Sequence, residues 1–168
     1  MRLLPVTFRE ANINDAEKLG YIHYKSWIET YTGLIHSDFL ASRSIKKSTA
    51  IFSENKCKNI ILASDNENPI GFCGFGNTRD PDLPKNFGEI YGIYVLRSYQ
   101  HMSIGYQLIS SALIKLKGYG YTDISLWVLK DNIKAIKFYE KLQFHFDGNE
   151  KECLLGSPVT EKRYTRKL

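Results

Sequence analysis

The chain has 168 residues, enough to bury a substantial core in one domain spanning 1–168, and its 43% hydrophobic and 24% charged residues are ordinary for a globular protein. Its net charge of +5 does not point to nucleic acid, because bases are interleaved with acids and only Lys162 to Lys167 is dense; a modest positive field equally suits a polyphosphate ligand. No apolar run is long enough to span a membrane, Met1 to Val6 is too short for a signal peptide, and three cysteines (Cys57, Cys73, Cys153) without paired or metal-like spacing suggest reduced thiols in a cytoplasmic protein.

Val6 to Arg9 reads as a first strand, and Asn14 or Asp15 as the cap of the next helix. In that helix Leu19, Ile22, His23, Trp27 and Tyr31 recur at spacings of three and four, and Gly33 ends it. Ser37 to Leu40 and Ser44 to Phe52 read as short helical pieces. Asn59 to Ser64 and Pro69 to Gly76 read as strands joined by a turn at Asp65 to Asn68. Gly71 to Gly76 is glycine-rich but no helix follows, so these glycines fit a bulge or close backbone approach rather than a nucleotide loop. Thr78 to Asn86, with Pro81 and Pro84, is a loop, and Glu89 to Val95 a strand. Ile104, Leu108, Ile109, Ala112, Leu113 and Leu116 mark an amphipathic helix stopped at Gly118 and Gly120. Asp123 to Leu129 is a strand, Asn132 to Leu142 a helix, and Phe144 to Asp147 and Glu161 to Arg166 closing strands. The pattern is one mixed α/β domain without repeats.

The run from Glu89 to Leu108 is the most informative. A strand passes through a short polar turn into a helix, whose first N–H groups are unpaired and whose dipole end is positive. Such an end accepts phosphate or pyrophosphate. The string Gln100-His101-Met102-Ser103-Ile104-Gly105 resembles the acetyl-CoA motif of the GNAT N-acetyltransferase superfamily, Gln/Arg-x-x-Gly-x-Gly/Ala, with Ser103 in place of the first glycine. About thirty residues on, Asn132-Ile133-Lys134-Ala135-Ile136-Lys137-Phe138-Tyr139 resembles the family's Asn-x-x-Ala-x-x-Phe-Tyr helix, with Gln143 where glycine is usual. Ser26 to Ile35 is similar to the first helix and substrate-side loop of small bacterial-type members.

The resemblance implies a GNAT fold: a mixed, mostly antiparallel twisted sheet of about six to seven strands flanked by about four helices. It implies acetyl-CoA as acyl donor and no metal. Pantetheine would lie along Ile93, Tyr94 and Val95, pyrophosphate on the N–H groups of His101, Met102, Ser103, Ile104, Gly105 and Tyr106, with Gln100 and Asn132 beside it. Tyr139 would protonate the leaving thiolate and Glu89 would be the general base, since the attacking amine must be neutral and the thiolate needs a proton. Trp27, Tyr31, Tyr91 and the Thr78 to Phe87 loop would line the acceptor side, for a small-molecule or peptide amine; a homodimer is left open.

Each residue also has a plainer reading. Gln100 and Ser103 serve equally as helix-capping residues, and Asn132 as an N-cap, a role compatible with ligand contact. Tyr139 fits a core aromatic, Glu89 a solvated charge at a strand start, and Arg97 either a phosphate contact or a surface cation. Because Ser103 and Gln143 depart from the pattern, a CoA-thioester-binding module with little catalysis is the alternative to an enzyme, and transfer of a longer acyl group a third reading. Other chemistries lack their residues: the four histidines form no HExxH or Cys/His cluster, and no Gly-x-Ser-x-Gly elbow exists.

Overall fold

All neighbouring strands but one pair antiparallel, and the exception builds the site. The computed structural model describes residues 5–168; Met1 to Leu4, where the signal-peptide reading and the domain's first residues fall, lie outside the described residues. Seven strands form one sheet in the order β1-β2-β3-β4-β5-β7-β6. They are β1 (Val6–Glu10), β2 (Ile60–Asp65), β3 (Asn68–Asn77), β4 (Phe87–Val95), β5 (Asp123–Leu129), β6 (His145–Leu154) and β7 (Pro158–Lys167). Five α-helices accompany them: α1 (Ala16–Tyr31), α2 (Ser37–Ala41), α3 (Ile45–Glu54), α4 (Ile104–Gly118) and α5 (Ile133–Lys141).

The two faces of the sheet bury different side chains, as the period of two requires. On one face Ile61, Ile70, Cys73, Phe75, Ile90, Ile124, Leu126 and Val128 pack beneath α4 and α5, whose Leu108, Ala112, Leu116 and Tyr139 join the same core. On the other, Ile60, Leu62 and Phe72 meet Leu19 and Ile22 of α1 and Phe52 of α3. A third cluster joins Trp27 and Tyr31 at the end of α1 and Leu40 of α2 to Leu129 of β5 and Val159 of β7.

The turn between β2 and β3 is two residues, Asn66 and Glu67, both left-handed (φ 44° and 69°), the hairpin geometry that matches strand twist. The N-terminal cap differs from expectation. Asn12 caps a short 3-10 turn, its side chain accepting from the Asn14 N–H at 3.0 Å. Asp15, buried, does not cap α1; its carboxylate takes the Arg9 guanidinium at 2.7 and 2.8 Å and the Asn12 N–H at 2.9 Å. The closing strands are longer than the sequence suggests, because the added residues of β6 are mostly exposed and carry no apolar alternation.

Two irregularities shape the site. β4 pairs with β5 in parallel only at Phe87, Gly88 and Glu89, which face Asp123, Ile124 and Ser125. Beyond that the strands part. On the other side of β4, Gly74 faces Gly92 while Phe75 faces Ile90, so Tyr91 is an extra, bulged residue.

Candidate active site

The opening between β4 and β5 leaves main-chain groups without a strand partner. The Leu96 N–H bonds the Ile70 carbonyl across to β3, so strand alternation turns the N–H and C=O of Val95 and Ile93 toward the gap. The Gln100 side chain closes one end, donating from Nε2 to the Val95 carbonyl at 3.2 Å. Tyr94 presents its carbonyl to β3 and its side chain to the α1 face, where the ring stands 5.0 Å from His23 and 4.9 Å from Phe72.

Past β4 the chain makes a 3-10 turn, Arg97–Tyr99, and reaches α4 through two left-handed residues, His101 (φ 63°) and Ser103 (φ 61°). The ladder of α4 begins with the Gln107 N–H on the Ser103 carbonyl at 3.1 Å. The N–H groups of His101, Met102, Ser103, Ile104, Gly105 and Tyr106 find no acceptor among the described residues. A left-handed residue followed by helical ones gathers successive N–H groups into a concavity suited to an anion, and the helix dipole adds to it. Ser103 supplies the left-handed step that a glycine would make without strain. The Gly105 N–H is among these; a Cβ there would point into the fold, 3.4 Å from Phe138 and 4.0 Å from Val95. Asn132 is an N-cap, accepting from the Ala135 N–H at 3.2 Å. Arg97 does not reach the turn: its N–H donates to the Glu29 carboxylate at 2.9 Å and its guanidinium to the Glu29 carbonyl, bracing α1.

Tyr139 of α5 lies on the α4 side, 8% exposed, stacked edge-on against Phe138 and Phe144. No protein hydrogen bond holds its hydroxyl among the described residues. Burial first, then Cys73, Tyr31 and Tyr94, keeps this hydroxyl protonated far above the ordinary tyrosine range.

On the α1 face, a cleft of about 380 Å³ is floored by Phe72, Gly74, Tyr91, Gly92 and Tyr94 and walled by His23 and by α3 and the segment after it. His23 is buried and bonds Ser48 Oγ through Nδ1 at 2.9 Å; burial, helped by Arg43, lowers its pKa to about 4, so it is neutral at pH 7. Glu89 is not a solvated strand-start charge: it is 1% exposed. Both of its oxygens are held by Arg79, Oε2 by the backbone N–H at 2.8 Å and Oε1 by Nε at 3.1 Å and by Nη2. The Arg79 guanidinium also lies 4.4 Å over the Tyr91 ring, whose hydroxyl donates to the Asn77 carbonyl at 2.8 Å. Burial lowers the Arg79 pKa, but the hydrogen bonds and charge of Glu89 outweigh it and raise it. Trp27 stacks on Tyr31 (4.5 Å) and under Arg43 (4.5 Å), at the junction of α1 and α2. Trp27 and Tyr31 therefore sit together over the gap, and Tyr91 with Arg79 at the cleft.

Arg79 carries no motif and escaped sequence reasoning. So did Arg163 of β7, 3% exposed, which fastens the β3–β4 loop. It donates to Asp82 at 2.8 and 2.9 Å and to Asp147 at 2.6 Å, and stands 3.5 Å from Asp80. Trp127 Nε1 also donates to Asp80, at 2.9 Å. No cluster of metal-ligating side chains occurs among the described residues, and no helix there is long and apolar enough to cross a membrane.

Residues 15–144 match the acetyltransferase (GNAT) family. The uncharacterized N-acetyltransferase YuaI of Bacillus subtilis is 30% identical over 136 residues, 80% of this chain and 78% of its own length. A spermidine N(1)-acetyltransferase of Thermoplasma acidophilum is 26% identical over 168 residues, 96% of this chain and 99% of its own. Among solved structures, the PaiA N-acetyltransferase of Thermoplasma acidophilum in complex with coenzyme A superposes with a TM-score of 0.77 at 22% identity, covering 98% of this chain and 100% of that one. YncA of Salmonella typhimurium, with its cofactor acetyl-CoA, gives 0.73 at 16% identity, covering 97% and 94%. These structures bear on the fold alone, and they share it. With the family match extending from the start of α1 to the end of α5, the chain belongs to the GNAT family and is an N-acetyltransferase.

Proposed function

We propose that this protein moves an acetyl group from acetyl-CoA to a primary amine of a small molecule or peptide, by direct attack in a ternary complex, and works in the cytoplasm as a single domain with no metal. Free amides at the start of α4, which leads on from the strand that parts from β5, carry the reading, and a protonated, unpartnered Tyr139 hydroxyl supports it. The chain's residues fit the donor. The amides of residues 101–106 suit the pyrophosphate charge, and the gap side of Ile93 and Val95 suits an extended amide-bearing arm. Acetyl-CoA supplies an already activated acyl carbon.

The remaining work falls to the protein. A gap-side N–H of β4 stabilises negative charge developing on the acyl oxygen. Tyr139 gives its proton to the departing sulfur. Glu89 takes the amine proton, directly or through water. A carboxylate has about four lone-pair sites and Arg79 fills three, which leaves one for that proton. Trp27, Tyr31 and Tyr91 bound the acceptor.

Tyr139→Phe tests the assignment. With chemistry rate-limiting, kcat should fall roughly ten- to a thousand-fold, while the rise in melting temperature with acetyl-CoA persists. Wild-type kcat would return Tyr139 to the core. Glu89→Gln should lose rate mainly below the pKa of the amine and recover as the amine deprotonates unaided. No thermal shift with millimolar acetyl-CoA would sink the donor assignment itself.

A further inference from the structure

The charged side chains that line the cleft on the α1 face are of one sign. Lys58 and Arg79 line it, and no carboxylate does. The Lys58 ammonium has no ion-pair or hydrogen-bond partner among the described residues. Arg79 uses Nε and Nη2 on Glu89 and leaves Nη1 unengaged. Glu89 is buried behind Arg79, with its charge matched there. His23 contributes no charge at neutral pH. Asn55 and Asn59 add uncharged polar groups, and Phe52, Phe72 and Tyr94 make the rest aromatic.

We propose that this cleft selects an acceptor amine that also bears an anionic group, a carboxylate or phosphate, on a compact apolar or aromatic body. The inference rests on the acetyltransferase reading and deepens it. A cavity of about 380 Å³ is at the small end of ligand sites, the size of a small amine rather than a folded partner. In it Lys58, whose ammonium is unpaired among the described residues, and the free edge of Arg79, held by Glu89 and over Tyr91, pair with the anion. A polyamine is the opposite case. Its non-reacting nitrogens are protonated at pH 7, and each would meet Lys58 or Arg79 as a like charge, with no carboxylate among the lining residues and the Glu89 charge already matched by Arg79. The cleft is thus set against the substrate class named for the Thermoplasma relative, at 26% identity. In the reaction, the amine nitrogen bonds the acetyl carbon, the carbon–sulfur bond breaks, one N–H proton leaves to Glu89 or water, and the thiolate takes a proton from Tyr139. The anion takes no part in that balance; it orients the amine.

The test reads binding without turnover. The full-length protein is saturated with coenzyme A, and amines are titrated by thermal shift and calorimetry at pH 7. The matched pairs are 4-(aminomethyl)benzoate with 4-(aminomethyl)benzamide, and phenylalanine with phenylalaninamide; phosphoethanolamine and spermidine complete the panel. At least one anionic amine should bind ten-fold or more tighter than its neutral partner or than spermidine, with the same order in kcat/KM once acetyl-CoA replaces coenzyme A. The carboxylate and phosphate arms identify the anion. Lys58→Glu should cut the preference to near unity or invert it, with the coenzyme A shift as the control for folding. Equal binding within each pair, tighter spermidine, no binding by any panel amine, or a preference that survives Lys58→Glu would overturn the inference. Failure of coenzyme A itself to bind would instead remove the acetyltransferase reading on which it stands.

Discussion

Arg163→Met removes the one guanidinium that holds the β3–β4 loop to β6 and β7. Arg163 is 3% exposed, and its three partners are unequal: Asp80 and Asp147 are 13% and 17% exposed at the side chain, Asp82 58%. Taking one member from a buried ion pair costs about 3–5 kcal/mol, because the remaining charge is left without compensation. Asp82 can rehydrate, which argues for the low end, about 3 kcal/mol for the cluster. In a domain of this size that lowers Tm by roughly 6–12 °C. The deficit should depend on pH in a definite sense. The Arg163 hydrogen bond, more than its charge, holds Asp82 below its ordinary pKa. That stabilisation is complete above the ordinary carboxylate range and disappears as pH falls through the lower, folded value. The share of the deficit that Asp82 carries should therefore shrink in acid. Urea melts of both proteins at pH 7 and at about pH 3 measure this. Arg79 is next to Asp80, so the loosened loop should also weaken the Arg79–Glu89 pair and reduce kcat/KM. A Tm within about 2 °C of wild type at pH 7 would refute the account, since that corresponds to less than roughly 1 kcal/mol.

Other expectations follow from single contacts. Ser103→Gly should keep or improve acetyl-CoA affinity and stabilise the fold by up to about 1 kcal/mol, since it removes a left-handed Cβ; a weaker cofactor shift would contradict this. Gly105→Ala should be tolerated, whereas Gly105→Val should cost about 1–3 kcal/mol by pressing on Phe138, read as a lowered Tm with or without cofactor. His23, lowered from 6.5 to about 4, stays neutral in the fold while the unfolded chain takes up a proton below pH 6.5. Stability should thus fall as pH drops from 6.5 toward 4, by about 3 kcal/mol from this group, and His23→Leu should flatten that limb in chemical denaturation. Gly156 has φ 79° and an added Cβ would lie 2.8 Å from Cβ of both His36 and Phe39, so Gly156→Ala should push the β6–β7 turn off α2 and raise the KM for the amine more than that for acetyl-CoA.

Local chemistry made much of this legible. Periodicity gives α4 from Ile104, Asn132 caps α5 as its position suggests, and β5 has the expected bounds, Asp123–Leu129. The strand–turn–helix at Gln100 to Gly105 is readable as a candidate anion site because unpaired amides follow from chain geometry alone. What could not be read depends on distant partners. Nothing near Glu89 announces that Arg79 covers it, and Arg163 gains its meaning from acids 81 and 16 residues away. The β4 bulge at Tyr91 is a mismatch between two strands, invisible in either one. β6 is legible only to Asp147, because the residues beyond are mostly polar and exposed. Asp15 looks like a cap but is taken by Arg9, a tertiary competitor for the same carboxylate.

The parting of β4 from β5 also has a colloidal consequence. A sheet that opens in its interior has two extra edges, and edges are where chains add to one another. Here the exposed stretch is short, Ile90 to Val95 against Leu126 to Leu129, and helices flank it on both faces: α4 and α5 on one, α1 and the α2 region on the other. A second polypeptide strand there would have to fit its side chains beneath the helices on both faces at once. The helices thus guard an interior edge of the kind that, left bare, invites strand swapping and fibril growth.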